Sequence, residues 1–283
     1  MFTPHRDFCH ISPTAYLSDF CRGRPNHLAL AHLVERDQQY TEFYLRESSE
    51  GATIILDNSA FEQYKAGLEM YPSEKLIALG KEIKAEYIVM SDYPGQHSSV
   101  TIKAAKKLAP VFHDAGFGTF FCPQSQIGDK DDLIRAFEWA ATSDLVDYVG
   151  VSILAVPNAY GVERGNKLQR FISRWKFMHE LHSAGILDQL QSARKKIHFL
   201  GMTDGPNEID LVHQFWPYIN TWDSSSAVWL GLNDRLYDTS PSGIVDGKFE
   251  LEVDFEMDKP LSDQTYSKVM QNIITIDKKG FAK

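Results

Sequence analysis

Three apolar runs of this sequence end on a carboxylate: TIILD on Asp57, YIVMSD on Asp92 and INTWD on Asp223. A buried strand gains nothing from a terminal charge, because an unpaired carboxylate is expensive to take out of water. Each acid therefore belongs where the core stops. For any one of them a helix cap or a turn is an equal explanation, but three such endings together point to one shared site. Carboxylates gathered in this way serve as nucleophiles and as proton carriers. Amides stand in a comparable place: CPQSQ brings Gln124 and Gln126 to the end of a further run, and an amide reads both donor and acceptor edges of a planar base. Gly150 in GVSILA and Gly201 in FLGM end two more runs, where a missing side chain lets backbone approach a flat ligand. Phe61, four residues after Asp57, is either core filling or one wall of a stacking slot.

The elements that must position these residues are legible as an alternation. Short apolar runs occur at 27–33, 53–57, 87–92, 118–124, 147–154, 197–202 and 219–225. Between them lie amphipathic stretches with helical spacing, such as 72–85, 99–115, 130–142, 167–185 and 206–218. Near-continuous apolar strands separated by helices predict a parallel sheet covered on its outer face. Seven units, with room for an eighth near the C-terminus, favour an α/β fold of the (β/α)8 TIM-like barrel type over an open doubly wound sheet. All strand C-termini then open onto one mouth, where the three acids meet. No G-x-G-x-x-G or Walker loop follows any run, which weakens a nucleotide-cofactor alternative. In KFELEVDFEMD (248–258) apolar and acidic residues alternate strictly, the period of a strand with one wet face. That segment is expected to be either the last barrel strand or part of an appended ribbon. A final helix follows, with Ser262 as its N-cap.

At 283 residues, 43% hydrophobic and 24% charged, the chain reads as one globular domain over 1–283. No apolar run approaches the roughly 20 residues that span a bilayer, and MFTPHRDFCHISPTAY has no secretion pattern. A cytoplasmic protein with no membrane partner is expected. Cys9, Cys21 and Cys122 are far apart and never form C-x-x-C, so reduced thiols are expected rather than a disulfide framework or a zinc site. A net charge of −9 argues against a protein that coats nucleic acid indiscriminately. Residues 161–196 depart from that balance at +5, with Arg164, Lys167, Arg170, Arg174, Lys176, Arg194, Lys195 and Lys196 against three acids. They are either solvated helix faces or a track for phosphates beside the mouth. Trp175 and Trp222 are expected in the core, with stacking on a ligand as the alternative.

The motifs resemble those of the tRNA-guanine transglycosylase superfamily. DNSAFE (57–62) resembles that family's D-S-G-G-F-Q, PQSQ (123–126) its V-Q-G-S, and YVGVSILAV (148–156) its Y-A-x-G-G-L-A-V. HFLGMT (198–203) resembles Y-L-M-G-V-G, and INTWDSS (219–225) resembles the I-D-M-F-D-C that carries the nucleophile. The matches run in the same order from about residue 50 to 235.

The resemblance implies roles position by position. Asp223 is the nucleophile that attacks the anomeric carbon and expels guanine, and Asp57 is the general acid/base. Asp92 holds the Watson–Crick edge of the purine with help from Gln124. Backbone near Ser152 and Ile153 completes the pocket, and Phe61 and Leu200 sandwich the ring. Independently of the family, exchanging a base at a sugar carbon with retention requires a carboxylate on one face and a proton carrier near the base. A polynucleotide must present that base out of the stack.

The cysteine-rich zinc site of the tRNA enzymes is missing, since no cysteine follows Cys122. The chain therefore looks like the DNA-modifying branch found in phages and bacterial islands, which inserts 7-deazaguanine bases such as 7-cyano-7-deazaguanine into DNA. The expected partners are guanine-containing DNA and a free 7-deazaguanine base, with no cofactor and no metal. Ser59 and Ala60 replace the family's double glycine, and Val151 and Ser152 its second pair, so a reshaped base pocket is expected. Three alternatives stand beside this reading: the same exchange on tRNA, a retaining barrel hydrolase of glycosides or nucleosides, and a binding subunit without catalysis.

Overall fold

β-Branched and aromatic residues packed into runs of three to six produce eight strands, all parallel. They are β1 (Asp7–His10), β2 (Asn26–Leu30), β3 (Thr53–Asp57), β4 (Tyr87–Val89), β5 (Gly118–Phe121), β6 (Tyr148–Ser152), β7 (Lys196–Leu200) and β8 (Ile219–Ser224). A computed structural model describes residues 7–60, 62–63, 67–163, 165–237 and 253–280. The hydrogen-bonded order is β1-β8-β7-β6-β5-β4-β3-β2, and β1 also lies against β2. The sheet is thus a nearly closed (β/α)8 barrel, the fold that the alternation predicts.

Helices follow the strands where the helical periods place them. Ser73–Glu82, Ser98–Asp114, Lys130–Thr142, Lys167–Ser183 and Pro206–Val212 correspond to the five stretches. Their starts carry the expected chemistry: the side chains of Asp129 and Asn166 accept from the backbone N–H groups of Asp132 and Gln169 at 2.9 and 3.0 Å, satisfying donors that the first helical turn leaves unpaired. Ser262 does the same for the final helix, Asp263–Gly280, by accepting from Thr265 N–H at 3.1 Å. Among the described residues no helix is long and apolar enough to cross a membrane.

The eighth strand is not where the sequence suggested. It is β1, at the N-terminus, paired in register with β8 from Asp7↔Thr221 to His10↔Ser224. DFCH is short and mixed in polarity, so its strand character comes from closing the barrel rather than from its own pattern. Of the acidic segment, residues 248–252 lie outside the described set, and Val253–Asp258 run without strand pairing. They pass beside the mouth: the Phe255 ring meets His32 edge-on at 6.2 Å, and Tyr16 Oη donates to the Lys259 carbonyl at 2.7 Å.

The barrel is plugged at the N-terminal end of the strands. Lys196 Nζ donates to Tyr87 Oη at 3.0 Å and lies over the Tyr87 and Tyr148 rings. A glycine is required at position 118, because a Cβ there would sit 2.5 Å from the Tyr87 ring. Phe120 stacks on Tyr148 one layer higher, with ring centroids 5.5 Å apart. Among the described residues these side chains fill the barrel interior at this end in layers.

Candidate active site at the C-terminal mouth of the barrel

Strand alternation decides which residues reach the mouth. In β8, Trp222 points outward into a cluster with Phe8, Phe199 and Trp216, so Thr221 and Asp223 point inward. Asp223 is buried at 7% exposure, and its neighbour across the ladder is Cys9 of β1. Asp57 closes β3, half-buried, and Asp92 lies three residues beyond β4, buried. The three acids share one electrostatic environment. Burial, then the charge of Glu62, then those of Asp92 and Asp223 push the Asp57 carboxyl well above its ordinary range, against the pull of a 2.7 Å hydrogen bond from Ser59 N–H. Like charges drive a carboxylic acid toward its neutral form, so Asp57 is suited to carry a proton.

Asp92 is fixed from both sides. Asn58 Nδ2 donates to its Oδ1 at 3.0 Å and Gln124 Nε2 to its Oδ2 at 2.6 Å. Burial raises the Asp92 carboxyl, and these two amides and Cys122 partly counter that. Gln124 thus spends its amide nitrogen on Asp92 and has its carbonyl oxygen left to offer. Asn58 also donates to the Met90 carbonyl at 2.8 Å, tying the end of β3 to the loop after β4.

Asp223 is held through one oxygen. Its Oδ1 accepts from Gly201 N–H at 3.0 Å and lies 3.0 Å from His198 Nε2. Gly201 adopts φ +69°, a conformation that favours glycine and turns its N–H onto the carboxylate. Its carbonyl accepts from Arg174 Nη2 and Trp222 Nε1, both at 2.7 Å. This differs from the expected contact of Gly201 backbone with a flat ligand, because both of its polar groups are engaged within the protein. Gly150 is not a ligand-facing gap either: a Cβ there would lie 2.8 Å from Leu200 Cδ1 and from Phe120 Cε1.

The other expected pocket residues divide. Leu200 is half-buried at the end of β7, on the mouth side of His198. Ser152 is buried, but its hydroxyl accepts from Leu154 and Ala155 N–H, both at 3.1 Å, so it caps the short helix Ala155–Ala159. Ile153 N–H donates to the Leu200 carbonyl at 3.0 Å and is not free to face a base. Phe61 lies outside the described residues, as does Arg164.

The basic cluster does not form one track. Arg174 is 1% exposed and ion-paired with the buried Glu208 at 2.6 Å. It donates further to the carbonyls of Val151 and Leu200 and sits over the rings of Phe199 and Trp222. It is a buttress behind the mouth, not a phosphate ligand. Arg194 and Lys195 precede β7 and Lys196 begins it, and the four residue steps from Lys196 to Leu200 span about 13 Å of strand, which puts all three at the plugged end. Lys195 Nζ caps the carbonyls of Ser143 and Val146, both at 2.6 Å. Lys167 and Arg170 remain near the mouth, two turns and one turn toward the helix N-terminus from Arg174. Trp222 is core, and Trp175 packs on His179 with ring centroids 4.6 Å apart.

Three residues that matter to the site escaped sequence reasoning. His198, 0% exposed, carried a signal in its place two residues before Leu200 inside an apolar run. Asn58 was hidden inside DNSAF as a turn residue. His32 gave no signal at all: its Nδ1 lies 2.9 Å from Ser59 Oγ, a contact between the short helix Ala31–Arg36 and the turn after β3 that only the fold brings together. Cys9, Cys21 and Cys122 are buried, unbridged thiols. No family model matches this chain, and no curated protein matches it.

Proposed function

We propose that this protein is a base-exchange transglycosylase that replaces guanine in DNA with a 7-deazaguanine base through a covalent Asp223–nucleotide intermediate. The observation that carries the reading is the meeting of Asp57, Asp92 and Asp223 at one barrel mouth, with the Asp57 carboxyl pushed toward its protonated form by burial and by its acidic neighbours. In the first half-reaction a carboxylate oxygen of Asp223 forms a bond to the anomeric carbon. The glycosidic C–N bond breaks with its electron pair going to the base, and Asp57 delivers the proton the departing guanine needs. In the second half, Asp57 takes the proton of the incoming base as its nitrogen attacks the same carbon, and Asp223 leaves as a carboxylate. Asp92, pinned by Asn58 and Gln124, presents fixed acceptors to the donor edge of a purine.

Two further features support the reading. The family motif that DNSAFE resembles has glycine where this chain has Ser59, and Ser59 adopts φ +53°, a backbone conformation that glycine adopts readily. Lys167 and Arg170 begin a helix on the mouth side, where the phosphates of an extruded nucleotide would lie.

The test is incorporation of a labelled deazaguanine base. Wild-type protein is incubated with labelled 7-cyano-7-deazaguanine and either guanine-containing DNA or tRNA. Label is expected in DNA and not after Asp223→Ala substitution. Label in tRNA alone would move the substrate to that polymer, and retained exchange in the variant would remove the mechanism. Release of free sugar from a simple nucleoside, without any exchange, would favour a hydrolase.

A further inference from the structure

His198 lies at the centre of a chain of polar contacts inside the barrel. Its Nε2 is 3.0 Å from Asp223 Oδ1 and its Nδ1 is 2.6 Å from Thr221 Oγ1. Thr221 Oγ1 is in turn 3.4 Å from Tyr148 Oη. All four side chains are buried, and aromatic rings flank the imidazole, with Phe120 edge-on at 5.5 Å. A neutral imidazole donates from one nitrogen and accepts at the other. An ionised Asp223 offers only acceptors, so the nitrogen facing it must carry the hydrogen. Nδ1 is then the acceptor, and the Thr221 hydroxyl donates to it. Tyr148 Oη is the second acceptor within reach of that hydroxyl, at the longer distance of 3.4 Å.

We propose that this relay makes His198 the residue that chooses the attacking oxygen of Asp223, an inference that rests on the base-exchange reading of the site. His198 Nε2–H and Gly201 N–H both bind Oδ1. Among the described residues no hydrogen bond is made to Oδ2, whose lone pair is the one available to the anomeric carbon. After attack, Oδ2 is the ester oxygen and Oδ1 the ester carbonyl. When the incoming base breaks the C–Oδ2 bond, the electron pair returns to the carboxylate, and the two donors already in place on Oδ1 stabilise that charge as it develops. His198 is a positioning residue in this scheme: it touches neither base nor sugar.

The relay is tested by the nitrogen spectrum of the full chain labelled with 15N-histidine, the His198 signals being assigned by their loss in His198→Gln. The Nε2–H tautomer is expected in wild type at neutral pH and is expected to persist in Thr221→Val, because Asp223 still requires the hydrogen on Nε2, while the melting temperature falls as Nδ1 is left buried without its donor. The second measurement is the rate at which an oligodeoxynucleotide already attached to Asp223 is released by the incoming base, the step in which the carboxylate charge develops. His198→Phe is expected to slow release by about 100-fold, the cost of losing one aimed donor. His198→Gln, whose amide can reach the same oxygen, is expected to recover much of that loss. Wild-type protein that attaches the oligonucleotide but shows Nδ1–H at His198, or a His198→Phe variant that attaches the oligonucleotide and releases it to the incoming base at the wild-type rate, overturns the inference alone. A protein that shows the Nε2–H tautomer but never attaches overturns the base-exchange reading and the oxygen assignment with it.

Discussion

Arg174 and Glu208, 34 residues apart in sequence, form an ion pair of 2.6 Å in which neither side chain is more than 1% exposed. The guanidinium also supplies the donors for three carbonyls at the ends of β6 and β7, and Glu208 accepts from Thr203 N–H at 2.6 Å. Removing one partner leaves the other buried and uncompensated. Arg174→Leu is expected to cost about 3–5 kcal/mol of stability, read from urea unfolding. Replacing both residues by Leu removes the orphaned charge and should restore part of the loss. A double variant no more stable than Arg174→Leu would show that the carbonyl contacts, and not the charge of Glu208, set the cost.

Stability should depend on pH through Asp57. Its carboxyl is pushed well above its usual range, first by burial and then by Glu62, Asp92 and Asp223. The folded protein therefore keeps a proton that the unfolded chain releases near its ordinary value of about 4. The associated stability is present below that value and is lost as pH rises toward the folded-state value. Asp57→Asn has no such slope. Unfolding free energies at about pH 4 and about pH 8 should show the variant gaining on wild type at the higher pH, while base exchange is lost. A difference that does not change with pH would mean that Asp57 ionises as easily folded as unfolded.

Ser59 sits at φ +53° and is fully buried. Its hydroxyl meets both the backbone N–H and Nδ1 of His32, at 3.2 and 2.9 Å. Burial, assisted by Arg36, pushes the His32 imidazole down to about 4, so it is neutral at pH 7. Ser59→Gly relieves about 1–2 kcal/mol of left-handed strain and deletes hydrogen bonds worth about 0.5–1.5 kcal/mol each. The two nearly cancel, and its unfolding midpoint should lie close to that of wild type. Ser59→Val loses the hydroxyl and places a β-branched residue where it is an outlier, so it should be clearly less stable. Equal midpoints for the Gly and Val variants would contradict the strain assigned to this turn.

Much of the fold was legible because it depends on local periods. The run TIILD became β3 with its predicted ends, and 130–142 became a helix with its predicted ends, since apolar spacing and an Asp cap act within a few residues of chain. The acids were legible for a related reason: a charge at the end of a buried strand has one economical place to be, the mouth.

What the tertiary structure alone decided depends on partners distant in the chain. Asp7–His10 is a strand only because β8 offers it a ladder, and 248–258 was the better strand by pattern. Arg174 looked like its basic neighbours until Glu208 and three carbonyls made its burial affordable, and the strand length between Lys196 and Leu200 carried the last three cations to the opposite end of the barrel. His198 reads as one polar residue in an apolar run, and its hold on Asp223 exists only through the pairing of β7 with β8. Sequence period fixes which face a side chain takes, but whether a buried polar group finds its partner is settled by closure of the barrel.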